Sequence, residues 1–194
     1  MASTGKGEDK RLRIIEAATA LFSRYGFKRT SIDLLAAEAG IAKPTVYAYF
    51  ADKDSIFCAV VEAVCEQLLA RAEEASRATL PIEERLSAML SAKFTRYWEL
   101  VHASPHAPEL MDSQGRLGAE IVQRCDRAYL KLLATTVETS KELELKRVGL
   151  DATSCAELLL RAGSGAAYDA TSASGHKKQL AELVRVIVVA LKKR

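Results

Sequence analysis

The chain has 194 residues, of which 28 are basic and 25 acidic, for a net charge of +3; 49% are hydrophobic and 27% charged. That balance fits a globular protein with a sizeable core and excludes general disorder. No stretch approaches the ~18 uncharged apolar residues of a membrane span, and the polar start, Met1 to Lys10, lacks the apolar segment of a secretory signal. Cys58, Cys65, Cys125 and Cys155 form no C-x-x-C pair and read as reduced, buried thiols of a cytoplasmic protein.

Charge is unevenly distributed. Residues 1–54 hold 9 basic and 7 acidic side chains, residues 55–174 hold 13 and 17, and residues 175–194 hold 6 and 1. A mildly basic head, an acidic body and a basic last helix permit a nucleic-acid partner for the head without requiring one.

No run alternates with period 2, whereas long Pro- and Gly-poor stretches are rich in Ala, Leu, Glu, Lys and Arg, so the fold class is all-α. Residues 1–9 read as a flexible tail. The first helix is expected over 10–25, with Ile14, Ala18, Leu21, Phe22 and Tyr25 on one stripe and Gly26 as its cap. Thr30 with Asp33 reads as a capping box for a second helix over 31–39. Gly40 ends it, and Lys43-Pro44 opens a third, since Pro is tolerated in a first turn. A fourth helix is expected from about 52 to 79, with Ile56, Phe57, Val60, Val64 and Leu68 inward. Later helices are expected over 82–103, 116–145, 151–172 and 176–193, with a break or short irregular helix over 104–115, where Pro105 and Pro108 fall.

Residues 32–49 have the pattern of a helix-turn-helix. Leu35, Ala36 and Ala39 face inward, Gly40 supplies a left-handed turn, and Ile41 and Val46 fill the wedge between the helices. That leaves Lys43, Thr45, Tyr47, Ala48 and Tyr49 outward, donors and aromatic hydroxyls suited to a major groove. A plain helical hairpin is the competing reading; small residue, turn glycine and apolar wedge at the right offsets favour the DNA-binding one. Tyr47 and Tyr49 cannot share a helix face, so at least one is expected to be exposed.

The segments Ile15-x-x-Ala18-x-x-Leu21-Phe22, Tyr25-Gly26-Phe27, Thr30-Ser31-Ile32, Ala36-x-x-Ala39-Gly40-Ile41 and Thr45-Val46-Tyr47-x-Tyr49-Phe50-x-x-Lys53-Asp54-x-Ile56-Phe57 together resemble the tetracycline-repressor-like (TetR) transcription regulators. The resemblance implies a three-helix DNA-binding head over 10–54 joined to a helical ligand-binding and dimerisation domain over 55–194. It implies a homodimer on a palindromic double-stranded operator and, for a repressor, release by a small-molecule inducer; from the residues themselves, no cofactor, no metal and no membrane partner are expected. By resemblance, Thr30 and Tyr49 hold phosphates, Lys43, Pro44, Thr45 and Tyr47 sit at the groove, and Lys53 contacts the DNA backbone. Lys28 and Arg29 add phosphate contacts. Ala42 stands where the family commonly has Ser, and Tyr49 where His is common.

In the body, Met89, Phe94, Tyr97, Trp98, His102, Met111, Tyr129 and Tyr168 are candidates to line a ligand pocket, although Met and aromatic residues at helical spacing are more often core. The last helix carries Leu180, Leu183, Val184, Ile187 and Leu191 on one face and Val186, Val189 and Ala190 on another. A terminal helix normally has only one neighbouring core, so this second face suggests a subunit interface, with 151–172 as its partner. Its candidate residues are Leu180, Val184, Ile187 and Leu191, with Ala162 and Ala166 permitting close approach.

No enzyme is expected. His102 and His106 are separated by Pro105, with no H-E-x-x-H pattern, and Cys58 and Cys65 on one helix stand about 10.5 Å apart along its axis. The rival reading is a helical small-molecule-binding or interaction protein in which the helix-turn-helix is only a scaffold.

Overall fold

The computed structural model describes residues 4–166 and 171–193. Among them the chain forms α1 (Thr4–Tyr25), α2 (Ile32–Ala39), α3 (Lys43–Tyr49), α4 (Lys53–Arg77), α5 (Ile82–Leu90), a π-helical segment (Ser91–Thr95), α6 (Arg96–Ala103), α7 (Ala107–Leu117), α8 (Ala119–Glu138), a 3-10 turn (Leu145–Val148), α9 (Ala152–Ala166) and α10 (Ala173–Leu191). The one extended pairing among these residues is an isolated bridge between Leu143 and Lys192.

Several boundaries differ from expectation. Helix α1 begins at Thr4, so the segment expected to be a flexible tail is already helical there. Its polar residues carry no apolar stripe, which is why periodicity missed it. The N-cap of α2 is Ser31, whose hydroxyl accepts from the Leu34 N–H at 3.2 Å. Thr30 is not the cap; it is 1% exposed and donates to the Gly26 carbonyl at 2.8 Å. The helix expected over 82–103 is interrupted by the π-helical turn at 91–95. The one expected over 116–145 is shorter, running from Ala119 to Glu138 after Gly118 closes α7. Where a break or short irregular helix was expected, Ala107 and Pro108 start α7, with Pro in the first turn where its missing N–H costs nothing.

Two compact units result: Met1–Cys65 with Leu100–Gln123, and Glu66–Glu99 with Arg124–Arg194. The first is therefore larger than a 10–54 head. Its core joins Ile14, Ala18, Leu21 and Phe22 of α1 to Leu35, Ala36, Val46, Phe50, Ile56 and Phe57. Burial of each large side chain contributes about 1.5–3 kcal/mol. The rings of Phe22, Phe27 and Phe57 meet in a triad with centroids 5.0–5.6 Å apart. Leu110, Leu117, Ile121 and Val122 pack on this core, and Glu109 accepts the Lys28 N–H at 2.6 Å. A core of ~45 residues is marginal alone; helix α7 and the start of α8 enlarge it.

In the second unit, Ile82, Leu86, Met89 and Leu90 of α5 pack with Tyr129 and Leu133 of α8, Leu159 of α9, and Leu180, Val184 and Val188 of α10. The buried Tyr129 hydroxyl donates to the Met89 carbonyl just before the π-helical turn. The end of α10 is pinned by hydrogen bonds from Glu144 N–H to the Leu191 carbonyl (2.8 Å) and from Lys193 N–H to the Glu142 carbonyl (3.0 Å).

Candidate nucleic-acid interface

The α2–α3 pair is oriented by a glycine. Gly40 has φ +62°, a left-handed conformation that L side chains rarely adopt, and its N–H closes α2 on the Ala36 and Ala37 carbonyls. The Arg13 guanidinium of α1 donates to the Ala39 carbonyl at 2.5 Å and the Gly40 carbonyl at 3.3 Å. A cation there both satisfies orphan carbonyls and opposes the negative end of the helix dipole. Sequence reading missed Arg13, because its partners lie 26 and 27 residues away and no local pattern marks the bond.

Helix α3 follows at once. Ala42 caps it without a side-chain hydrogen bond, and Lys43-Pro44 form its first turn. Val46 is fully buried, which fixes the helix's rotation and turns Lys43, Pro44, Tyr47 and Ala48 outward, with Thr45 half-buried beside them. Tyr47 is 49% exposed. Tyr49 is half-buried against the core, with its hydroxyl beside Gly7 of α1. Lys28 and Arg29 are exposed on the turn before α2.

Two candidates are corrected. The buried Thr30 hydroxyl is committed to the Gly26 carbonyl and cannot hold a phosphate in this arrangement. Lys53 points inward: its ammonium donates to the carbonyls of Phe27 (2.8 Å), Thr30 (3.0 Å) and Lys28 (3.3 Å) and lies 4.5 Å from the Phe27 ring centre. With all three protons engaged, Lys53 clamps the 27–30 turn instead of reaching outward. Lys43 is also partnered. Its Nζ lies 2.9 Å from the Asp33 carboxylate, and that hydrogen bond, then the carboxylate's charge, pushes its pKa upward, so it stays protonated.

The body candidates do not form one pocket. Met89 and Tyr129 are fully buried in the second core, where burial holds the Tyr129 phenol well above its usual range. Tyr97 is half exposed and Trp98 half-buried in the same unit, whereas His102 and Met111 belong to the first unit. Tyr168 lies outside the described residues. Of the seven described candidates, Phe94 alone lines the open groove of about 440 Å³ between the π-helical turn, α8 and α9. Leu130 and Leu160 complete its apolar floor, and Lys93, Asp126, Arg127, Glu157 and Arg161 form its rim.

The interface candidates are corrected as well. Leu180, Val184 and Leu191 are 0–2% exposed within their own unit, and Ile187 packs against the same core, so this face of α10 is already occupied. The opposite face leaves Val186 71% and Val189 62% exposed. Ala162 and Ala166 are half-buried on α9, and Ala166 packs on the second core.

Burial, then the nearby carboxylates of Asp54, Asp52 and Glu62, pushes the Cys58 thiol upward, and burial does the same to Cys155. Both stay protonated at neutral pH. No three His, Cys, Asp or Glu among the described residues are grouped to hold a metal, and no helix there is long and apolar enough to cross a membrane.

This geometry has counterparts. Residues 14–60 match the family model described as bacterial regulatory proteins, tetR family. The chain is 26% identical over 136 residues to the uncharacterized HTH-type transcriptional regulator YhgD of Bacillus subtilis, covering 67% of this chain and 68% of that protein. A shorter match, 44% identical over 55 residues, covers 28% of this chain and 29% of the HTH-type transcriptional repressor SCO4008 of Streptomyces coelicolor. In three dimensions the chain is similar to a transcriptional regulator from Cytophaga hutchinsonii, with TM-score 0.75 and 16% identity over 93% of this chain and 97% of that one.

Proposed function

We infer that this chain, a TetR-family transcriptional regulator by its residues 14–60, lays α3 into the major groove of a palindromic operator as a homodimer and acts as a repressor. The observation that carries this reading is the orientation of α3: with Val46 fully buried, Lys43, Pro44 and Tyr47 stand outward together. Lys28, Arg29 and Lys43 supply the positive charge for phosphate contacts, and Lys43, Thr45 and Tyr47 the base-edge contacts. Two such heads related by a two-fold axis match a palindrome.

The second subunit packs on the exposed α10 face at Val186 and Val189 rather than on Leu180, Val184 and Leu191. A small molecule that binds the second unit shifts the population away from the DNA-binding form. The groove beside Phe94, apolar below and charged at the rim, suits an amphiphile.

Fluorescence anisotropy of the purified protein on duplex DNA from its own upstream region tests this, with a scrambled duplex as control at two salt concentrations. Tight, sequence-preferring binding that weakens steeply with salt is expected. Equal, weak binding to that duplex, to its scramble and to every duplex in a random-sequence selection would hand the case to a helical ligand-binding or interaction protein.

A further inference from the structure

The face that carries Lys43 also carries a carboxylate. Asp33, in the first turn of α2, is 2.9 Å from the Lys43 ammonium, and both side chains are exposed. An exposed pair of this kind contributes little to folding. Asp33 is not needed to cap α2 either, because Ser31 does so. Its position is nevertheless costly beside DNA, where a carboxylate faces phosphate repulsion unless it meets a hydrogen-bond donor.

In the major groove only two base groups donate: the exocyclic amines of cytosine (N4) and adenine (N6). The lysine decides between them. Within any base pair that amine is hydrogen-bonded to the acceptor beside it, guanine O6 or thymine O4, at about 2.9 Å, the separation already held between Lys43 and Asp33. Guanine offers a lysine two acceptors, O6 and N7. Thymine offers one, beside a methyl group that crowds a charged head.

We propose that Asp33 is a specificity-determining residue, which together with Lys43 reads a C·G base pair: the carboxylate accepts from cytosine N4 while the ammonium donates to guanine O6 and N7. The inference rests on the placement of α3 in the major groove. Away from the operator, Asp33 keeps the Lys43 charge occupied and so restrains non-specific binding to phosphates.

Selection from a random duplex library with the full chain, alongside Asp33→Asn and Asp33→Ala, tests the assignment, with thermal midpoints of all three proteins to establish folding. The unsubstituted chain is expected to enrich a sequence with C·G at one symmetric position in each half. Asp33→Ala loses preference at that position alone, by about tenfold or more. Asp33→Asn turns it toward adenine, whose N6 and N7 suit an amide. Non-specific affinity of Asp33→Ala rises, with a salt slope steeper by about one phosphate. The same enriched sequence from all three proteins would overturn the role of Asp33 and leave the DNA-binding reading standing. A loss spread over every position would reduce Asp33 to a structural residue and overturn it too. No enriched sequence from the unsubstituted chain would overturn both readings.

Discussion

The Lys53 ammonium lies 2.8 Å from the Phe27 carbonyl oxygen and 4.5 Å from the centre of the Phe27 ring, so one side chain of α4 grips both the backbone and the side chain of one residue in the turn before α2. Hydrogen bonds to charged groups contribute about 1.5–3 kcal/mol when partly shielded from water. Lys53→Met is therefore expected to lower the thermal midpoint by about 3–12 °C while leaving the salt slope of DNA binding unchanged. An unchanged midpoint with a slope reduced by about one would restore Lys53 as a phosphate contact.

Tyr47 behaves oppositely. It is half exposed on α3, while Tyr49, two positions on, packs on the core. Tyr47→Ala is expected to shift stability by no more than about 0.5 kcal/mol and to abolish operator binding in the anisotropy assay. Tyr49→Ala should instead lower the thermal midpoint. A destabilised Tyr47→Ala with full DNA affinity would make Tyr47 a packing residue.

The helix-turn-helix was legible because its determinants are local: Gly40, the buried Leu35, Ala36 and Val46, and Pro44 in a first turn all act within a few residues of each other. What escaped depends on distance. Arg13 and Lys53 reach across 23 to 27 residues, and nothing near them in sequence says that a cation will cap carbonyls instead of facing solvent. The capping box misled by one residue because Thr30 and Ser31 are both capable caps, and burial decided between them. In α10 both faces are apolar, so hydrophobicity alone could not tell which one faces its own core.

That ambiguity is open to test. Val186 and Val189 are exposed on α10, while Val184 is fully buried. Val186→Asp with Val189→Asp is expected to give a folded monomer by light scattering, with operator affinity greatly weakened because two half-sites are no longer bound together. Val184→Asp, which puts a charge into the core, should fail to fold stably. An unchanged mass for the double variant would remove this face as the subunit contact.

Two glycines of α9 make a paired experiment. A Cβ on Gly163 would lie 2.7 and 2.9 Å from ring atoms of Phe94, whereas one on Gly165 would meet none of the described residues within 4 Å. Gly165→Ala should gain up to about 1 kcal/mol, the helix preference for Ala over Gly. Gly163→Ala gains the same preference but must displace Phe94, and overpacking costs about 1–3 kcal/mol, so it is expected to be the less stable of the two in urea. Because Phe94 lines the groove, Gly163→Ala should also change the affinity of any molecule bound there. Equal gains from both substitutions would mean that Phe94 moves aside without cost.

His176, in the first turns of α10, is fully buried, and neither ring nitrogen has a hydrogen-bond partner among the described residues. Burial disfavours the charged ring and lowers its pKa below the ordinary 6.5. Above that value the imidazole is neutral in the folded and unfolded chains alike. As pH falls below it, the unfolded chain takes up a proton that the folded one refuses, and stability drops by at most about 1.4 kcal/mol per pH unit until the folded pKa is reached. His176→Leu removes this linkage together with two unsatisfied nitrogens. The variant is therefore expected to be at least as stable as the parent near pH ~7.5 and to widen its lead as the pH falls toward ~5.5. A constant gap between their thermal midpoints across that range would mean that the buried ring takes up its proton as readily as an exposed one, and that the helix opens enough in acid to let water reach it.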